Sequence, residues 1–203
     1  MKPISQGTYQ KLKAQYGKVA NWAIWNPEDT CDLSVFEDRG VPSPSLRSDI
    51  VMIGLNASRK LKHDWENYHD CRRGSRDYYY RDCVQDFFRG AYMTDLVKET
   101  INPKSEEVRP DLERNFDHHA AILCEELRLL GADKNTHYIV IGRAIAYEPL
   151  MKHIASSCLS ALMDPDKVND VSNPAAHGLT KEAFCRELAE IAALIAKEPD
   201  ERT

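Results

Sequence analysis

Apolar residues in this chain gather into short, nearly continuous runs separated by longer stretches of helical spacing. That alternation predicts a parallel sheet with helices on both faces. The sharpest run is Ile50-Val51-Met52-Ile53, bounded by Asp49 and Gly54. Apolar residues at every position, rather than every second one, mark a strand buried on both faces. The run stops at Gly54-Leu55-Asn56-Ala57-Ser58. A carboxamide is thereby delivered to the carboxyl end of a central strand, where open α/β sheets bind ligands. Residues 91–95 (AYMTD) and 138–141 (YIVI) read as second and third buried strands, ending at Asp95 and at Gly142-Arg143. Residues 168–172 read as a short fourth.

Helices fill the intervals. Residues 5–16 place Tyr9, Leu12 and Tyr16 at helical spacing before Gly17. A second helix is expected over 77–88. A third is expected over 111–130, with Leu112, Phe116, Leu123 and Leu127 on one side and Gly131 past its end. Another opens at Gly142-Arg143 and is interrupted or restarted at Pro149. The last, over 180–197, has Thr180 as its N-cap and Phe184, Leu188, Ile191 and Ile195 facing inward. Residues 21–26 (NWAIWN) suit an edge strand or an extended segment whose Trp22 and Trp25 enter the core. Residues 27–48, with Pro27, Pro42 and Pro44, have loop composition. The expected fold is one α/β domain over residues 1–203: a three-layer αβα arrangement around a four-stranded parallel sheet, with residues 1–48 as an N-terminal helix and loop packed on it.

Composition adds constraints. At 203 residues and 42% hydrophobic, the chain is long enough to bury a full core. Its beginning lacks the apolar run of a signal peptide, and its apolar stretches are too short to cross a bilayer. A cytoplasmic monomer with no membrane partner is therefore expected. Six cysteines occur without a CxxC pair or other metal-ligand spacing. Free thiols in a reducing compartment are expected, with no metal and no cofactor. His118 and His119 fall side by side inside a helix and point about 100° apart, which does not favour a shared metal.

Net charge is −5, yet residues 59–89 hold eight basic against six acidic side chains, leaving +2 on this span and −7 on the rest. Within it Trp65, Tyr68 and Tyr78-Tyr79-Tyr80 alternate with Arg72, Arg73 and Arg76. Aromatic and basic residues interleaved in this way suit stacking on bases and pairing with phosphates. The plain alternative is a solvated mixed-charge face with the tyrosines packed inward. The polar residues at the strand ends, Asn56, Asp95, Arg143 and Asn173 with His177, are the candidate site.

In this order the motifs resemble the uracil-DNA glycosylase superfamily, most closely its mismatch-specific uracil/thymine branch. Gly54-Leu55-Asn56-Ala57-Ser58 is similar to that branch's first motif, GINPG, and Asn173-Pro174-Ala175 to its last, NPS. Between them, DYYYRDCVQDFFRGAYMTDLVKE resembles the aromatic-rich helix and second strand, and YIVIGRAIAY the third strand and glycine turn. The resemblance covers roughly residues 50–195. Ala57 and Ser58 stand where the family has proline and glycine, Asn173 where other branches have histidine, and Asp95 where several carry a base-reading asparagine.

What the resemblance implies is hydrolysis of the N-glycosidic bond of uracil or a related deaminated or mismatched base in DNA. Asn56 would orient the water and Asn173 would stabilise the departing base anion. Tyr68 would stack on the flipped base, with Leu55 and Asp95 beside it. Ser58, Arg72, Arg73, Arg76 and His177 would hold the strand. The alternative is a catalytically silent relative that binds a nucleotide, a nucleic acid or a protein partner through the same crevice. Asn56 and Asn173 also have simple readings as turn residues.

Overall fold

A computed structural model describes residues 1–36, 46–84 and 86–198. Pro42 and Pro44 of the expected N-terminal loop lie outside these residues. The described chain is an α/β structure built on a five-stranded sheet in the order β1-β3-β2-β4-β5. The strands are β1 (Asn21–Trp22), β2 (Arg47–Asn56), β3 (Ala91–Val97), β4 (His137–Ile141) and β5 (Val168–Val171). The last four run parallel, and β2 lies between β3 and β4, so the three apolar runs are neighbours as their pattern predicts. The expected four-stranded parallel sheet is corrected to a mixed one. Residues 21–22 pair antiparallel with Tyr92 and Met93 and add an edge. Trp22 fixes that edge by packing on Tyr92, ring centroids 4.7 Å apart, and lies fully buried.

Two helical layers cover the sheet. Odd-numbered β2 residues Val51, Ile53 and Leu55 face one layer, together with Tyr92, Tyr138 and Val140. There they meet α1 (Gln6–Tyr16), α3 (Ser105–Arg114), α4 (Phe116–Leu130) and α5 (Glu148–His153). Ile50, Met52, Met93, Ile139 and Ile141 face the other layer, formed by α2 (Tyr78–Cys83) and α6 (Lys181–Ile195). Because side chains alternate across a strand, a fully apolar run is what a sheet covered on both faces requires. Ser5 and Thr180 cap α1 and α6 through their hydroxyls, accepting from Thr8 N and Ala183 N. No helix among the described residues is long and apolar enough to cross a membrane.

Helix boundaries move where local geometry overrides periodicity. The single helix expected over 111–130 is two helices, broken at Asn115, whose φ of −116° and ψ of 29° leave the helical region. Leu112 and Phe116 are buried on either side of the break, so the apolar spacing continues across it and conceals it. The helix expected over 77–88 ends at Cys83 and is followed by a 3-10 turn, Asp86–Phe88. Of its three tyrosines, Tyr79 and Tyr80 are buried and Tyr78 is exposed. After β4 the chain makes a π-helical turn, Arg143–Tyr147, before α5.

A buried ion pair joins β3 to α4. Lys98 Nζ lies 2.6 Å from Glu126 Oε2, with side chains 5% and 0% exposed. Tyr92 and Thr94 hydroxyls also donate to Glu126, and the Lys98 ammonium donates to Thr94 Oγ1 and the Asp95 carbonyl. Charges removed from water need this many partners, and losing one partner strands the other. Lys98→Met is expected to destabilise the protein by about 3–5 kcal/mol in urea denaturation. Adding Glu126→Leu to it should recover much of that loss. A single variant within about 1 kcal/mol of wild type would show that the pair does not carry this part of the core.

Candidate active crevice

The end of β2 is shaped by what lies against Gly54. A Cβ there would sit 2.5 Å from Asp95 Oδ1 and would collide with the Tyr68 hydroxyl, so only glycine fits. Tyr68 arrives from the long segment after β2, where it and Trp65 both adopt φ of 62°. Left-handed backbone is unusual for bulky residues and persists only where surroundings over-determine it. They do so here. Trp65 donates through its ring N–H to the Tyr9 hydroxyl at 2.9 Å, and its backbone N–H donates to Gly17 O at 2.6 Å. The Tyr68 hydroxyl is 2.7 Å from Asp95 Oδ1 and 2.9 Å from Thr94 O, and Asn67 Nδ2 donates to Asp95 Oδ2 at 2.8 Å.

The carboxylate on β3 thus faces two donors of its own chain. Burial raises the Asp95 carboxyl above its ordinary range, while the hydrogen bonds from Tyr68 and Asn67 oppose the rise. Burial first, and the Asp95 charge second, hold the Tyr68 phenol well above its ordinary value, so it remains a donor. Tyr68 and Asp95, both expected to bind the base, are hydrogen-bonded to each other. Leu55 is buried among the residues of the α1/α4 layer, on the opposite face of the sheet.

Asn56 is partly buried, and its amide is occupied. Nδ2 donates to the carbonyls of Ala57 (2.9 Å), Thr100 (3.2 Å) and Asn102 (2.8 Å), fastening the loop after β3 to the end of β2. Its Oδ1 receives no hydrogen bond from the described residues.

Beyond β2 the crevice divides into two cavities with the turn at Asn173 in the wall of both. One, of about 430 Å³, is lined by Ser58, Arg72, Arg73, Arg76, Asp77 and Asn173 among others, so five of the predicted site residues do converge. Their availability differs. The Arg76 guanidinium donates from one nitrogen to the carbonyls of Pro174, Ala176 and Leu179 and staples the loop after β5, so one edge of the expected phosphate-binding group is already engaged within the chain. Arg72 is paired with Asp70 at 2.7 Å on the surface. Arg73 has no carboxylate partner among the described residues. Asn173 Oδ1 accepts from Ala175 N at 2.8 Å, the turn-forming bond that an Asn-Pro sequence favours.

The other cavity, of about 780 Å³, is acidic: Glu106, Asp170, Glu187 and Glu190 line it with Arg143, whose guanidinium is paired with Asp170 at 2.8 Å. Gly142, at φ of 97°, opens its floor, and a Cβ there would press on the Ile145 side chain. His177 is exposed in the loop after β5 and lines neither cavity, as is also true of Asn56 and Asp95.

Cross-links frame the arginine-lined side. Cys31 pairs with Cys71 and Cys83 with Cys185, correcting the expectation of free thiols; Cys124 and Cys158 remain unpaired. The first fastens the segment carrying Arg72 and Arg73 to residue 31, and the second ties α2 to α6. Spacing along the chain gives no hint of either, because the partners lie 40 and 102 residues apart. Glu99, His118 and His119 also come together, each offering a ligand atom within 4.8 Å of the others. The two ring nitrogens thus lie closer together than the roughly 100° separation of adjacent helix positions suggests.

Nothing in the sequence marks Asp77, since a lone Asp before a helix reads as a cap. It makes no side-chain cap bond to α2 and instead accepts from Asp70 N at 2.8 Å inside the cavity. Burial, with a smaller push from Asp70, raises its carboxyl to about 6. Comparison with family models, curated proteins and solved structures finds no match to this chain.

The raised Asp77 carboxyl sets a pH dependence. It titrates near 3.8 when unfolded and near 6 when folded, so its favourable contribution is present at low pH and lost as pH rises through that window. Asp77→Asn keeps the acceptor and removes the charge. The variant is expected to be more stable than wild type by roughly 1–2 kcal/mol at neutral pH, and to lose that advantage near pH 4. Urea midpoints at the two pH values check this; the same difference at both would contradict it.

Proposed function

We propose that the chain binds a phosphate-bearing nucleotide unit, free or within a nucleic-acid strand, in the crevice at the carboxyl ends of β2 and β5. The observation that carries this reading is the cavity of about 430 Å³ where Ser58, Arg72, Arg73 and Asn173 meet from three separate stretches of sequence. Guanidinium forks match phosphate oxygens in geometry as well as charge. Arg73 makes no ion pair among the described residues, and the Arg72 guanidinium, although paired with the half-buried Asp70 carboxylate, is itself exposed. The strand order reverses between β2 and β4, and the cavity is lined by segments that follow β2 and β5, at the sheet end where doubly wound sheets take ligands. Ser58 and Asn173, from the two motifs that resemble the glycosylase superfamily, both line this cavity and support the same class of ligand.

Base excision from DNA is the second reading. It is favoured by Asn56 Oδ1, which no described donor engages, and by Asp77, a carboxyl with a near-neutral titration beside Ser58 and Asn173. Against it, the positions that would read and stack the base, Asp95 and Tyr68, are bound to each other, and the Asn56 amide is committed to the loop after β3. Binding without excision is the reading this geometry supports best.

Fluorescence anisotropy with labelled single- and double-stranded oligonucleotides tests the binding reading. Arg72→Ala with Arg73→Ala is expected to lower affinity about tenfold or more for every sequence and to reduce the salt slope by about one for each phosphate no longer held. Unchanged affinity and slope would remove the proposal. Strand-scission assays on uracil, hypoxanthine, xanthine and mismatched thymine are expected to show no base release. Release that disappears in Asn56→Ala would establish excision instead.

A further inference from the structure

We propose that Glu99, His118 and His119 form a binding site for a divalent transition-metal ion of the zinc type, at the mouth of the loop between β3 and α3. One carboxylate oxygen and two imidazole nitrogens lie within 4.8 Å of one another. Two histidines and a glutamate are a donor set that zinc accepts, at about 2.0–2.2 Å from each ligand. Tetrahedral ligands at those lengths stand about 3.4 Å apart, so the widest spacing must close and the His118–Glu99 contact must open, each by roughly an ångström. Two of them are free to adjust: the Glu99 and His118 side chains are 61% and 57% exposed and lie 2.5 Å apart, and His118 also stands edge-on to His119 with ring centroids 5.4 Å apart.

The third ligand is already fixed. His119 is 3% exposed, and its Nε2 lies 3.2 Å from Asp111 Oδ2, while Nδ1 is buried without any hydrogen-bond partner. A buried imidazole oriented on one nitrogen by a carboxylate, with the lone capacity of the other unused, is the arrangement of metal-binding histidines. An unpartnered buried ring nitrogen costs free energy; His69 Nε2 and His137 Nδ1 are buried in the same way, and His119 differs in having two further donor groups within 4.8 Å. The loop that carries Glu99 is itself held in place, because Asn56 Nδ2 binds the carbonyls of Thr100 and Asn102 just beyond it. The site therefore combines one rigid ligand, one anchored loop and an open side toward solvent, where a fourth ligand enters.

The test uses full-length protein without a polyhistidine tag and with Cys158→Ser, since Cys158 is the exposed unpaired thiol. Zinc is titrated in competition with a chromophoric chelator, and cobalt(II) serves as a spectroscopic probe of the coordination. One equivalent of zinc is expected, with Glu99→Gln and His118→Ala each weakening it at least tenfold. Asp111→Asn is expected to weaken it less while leaving the cobalt d–d spectrum in place, as befits a positioning residue. Circular dichroism establishes that each variant is folded, and the two exposed positions keep the test independent of the buried His119. Zinc held as tightly by the Glu99→Gln/His118→Ala double variant as by the parent overturns the proposal, as does a cobalt spectrum carrying a thiolate charge-transfer band.

Discussion

A carboxylate taken out of water must find donors, and Asp95 finds them on the segment that follows β2. Asn67 and Tyr68 each give it a hydrogen bond, across a glycine whose missing side chain lets them approach. The arginine-bearing stretch is fastened here as well as through Trp65 and the Cys31–Cys71 link. Without these ties, residues 57–77 would be a long connection with little regular structure. With them, the stretch becomes a wall that presents Arg72, Arg73 and Asp77 to the loop after β5. The left-handed backbone at Tyr68 is sustained by the bonds at Asp95, and that at Trp65 by its own to Tyr9 and Gly17.

The crevice is electrostatically divided. On the β2 side three guanidiniums face two carboxylates, one of which is half-neutral near pH 6. On the β4 side four carboxylates face Arg143 alone. Asn173 lies in the wall of both cavities. On the binding reading proposed above, a phosphate-bearing ligand would be drawn to one half and repelled by the other, so the division would orient the ligand as well as attract it. Acidification shifts the balance further toward anions as Asp77 takes up its proton.

Much of the scaffold is legible in the spacing of apolar residues. Buried parallel strands need apolar residues on both faces, and the runs at 50–53, 91–93 and 138–141 supply them at neighbouring positions in the sheet. The antiparallel edge is harder to see, because β1 is two residues long and its placement is set by Trp22 packing on Tyr92. Site residues are legible as positions and much less so as roles. Asn56, Tyr68 and Arg76 do stand at the carboxyl ends of the strands or in the loops beyond them, yet each uses its polar atoms on another segment of the chain. Partners 27 to 103 residues away decide what such a side chain does, and one-dimensional pattern carries no record of them. The disulfides, the Asp77 environment and the Glu99–His118–His119 cluster leave no trace in the spacing for the same reason.

The most direct measurement is a titration of ¹⁵N-labelled protein with a short single-stranded oligonucleotide, followed by the backbone amide resonances. If the arginine-lined cavity is the binding site, the amides of Ser58, Arg73, Gly74, Asn173 and Ala175 shift together and saturate with one dissociation constant, while Ile139 in the middle of the sheet stays in place. Absence of any shift, or shifts confined to residues outside that cavity, would contradict the account.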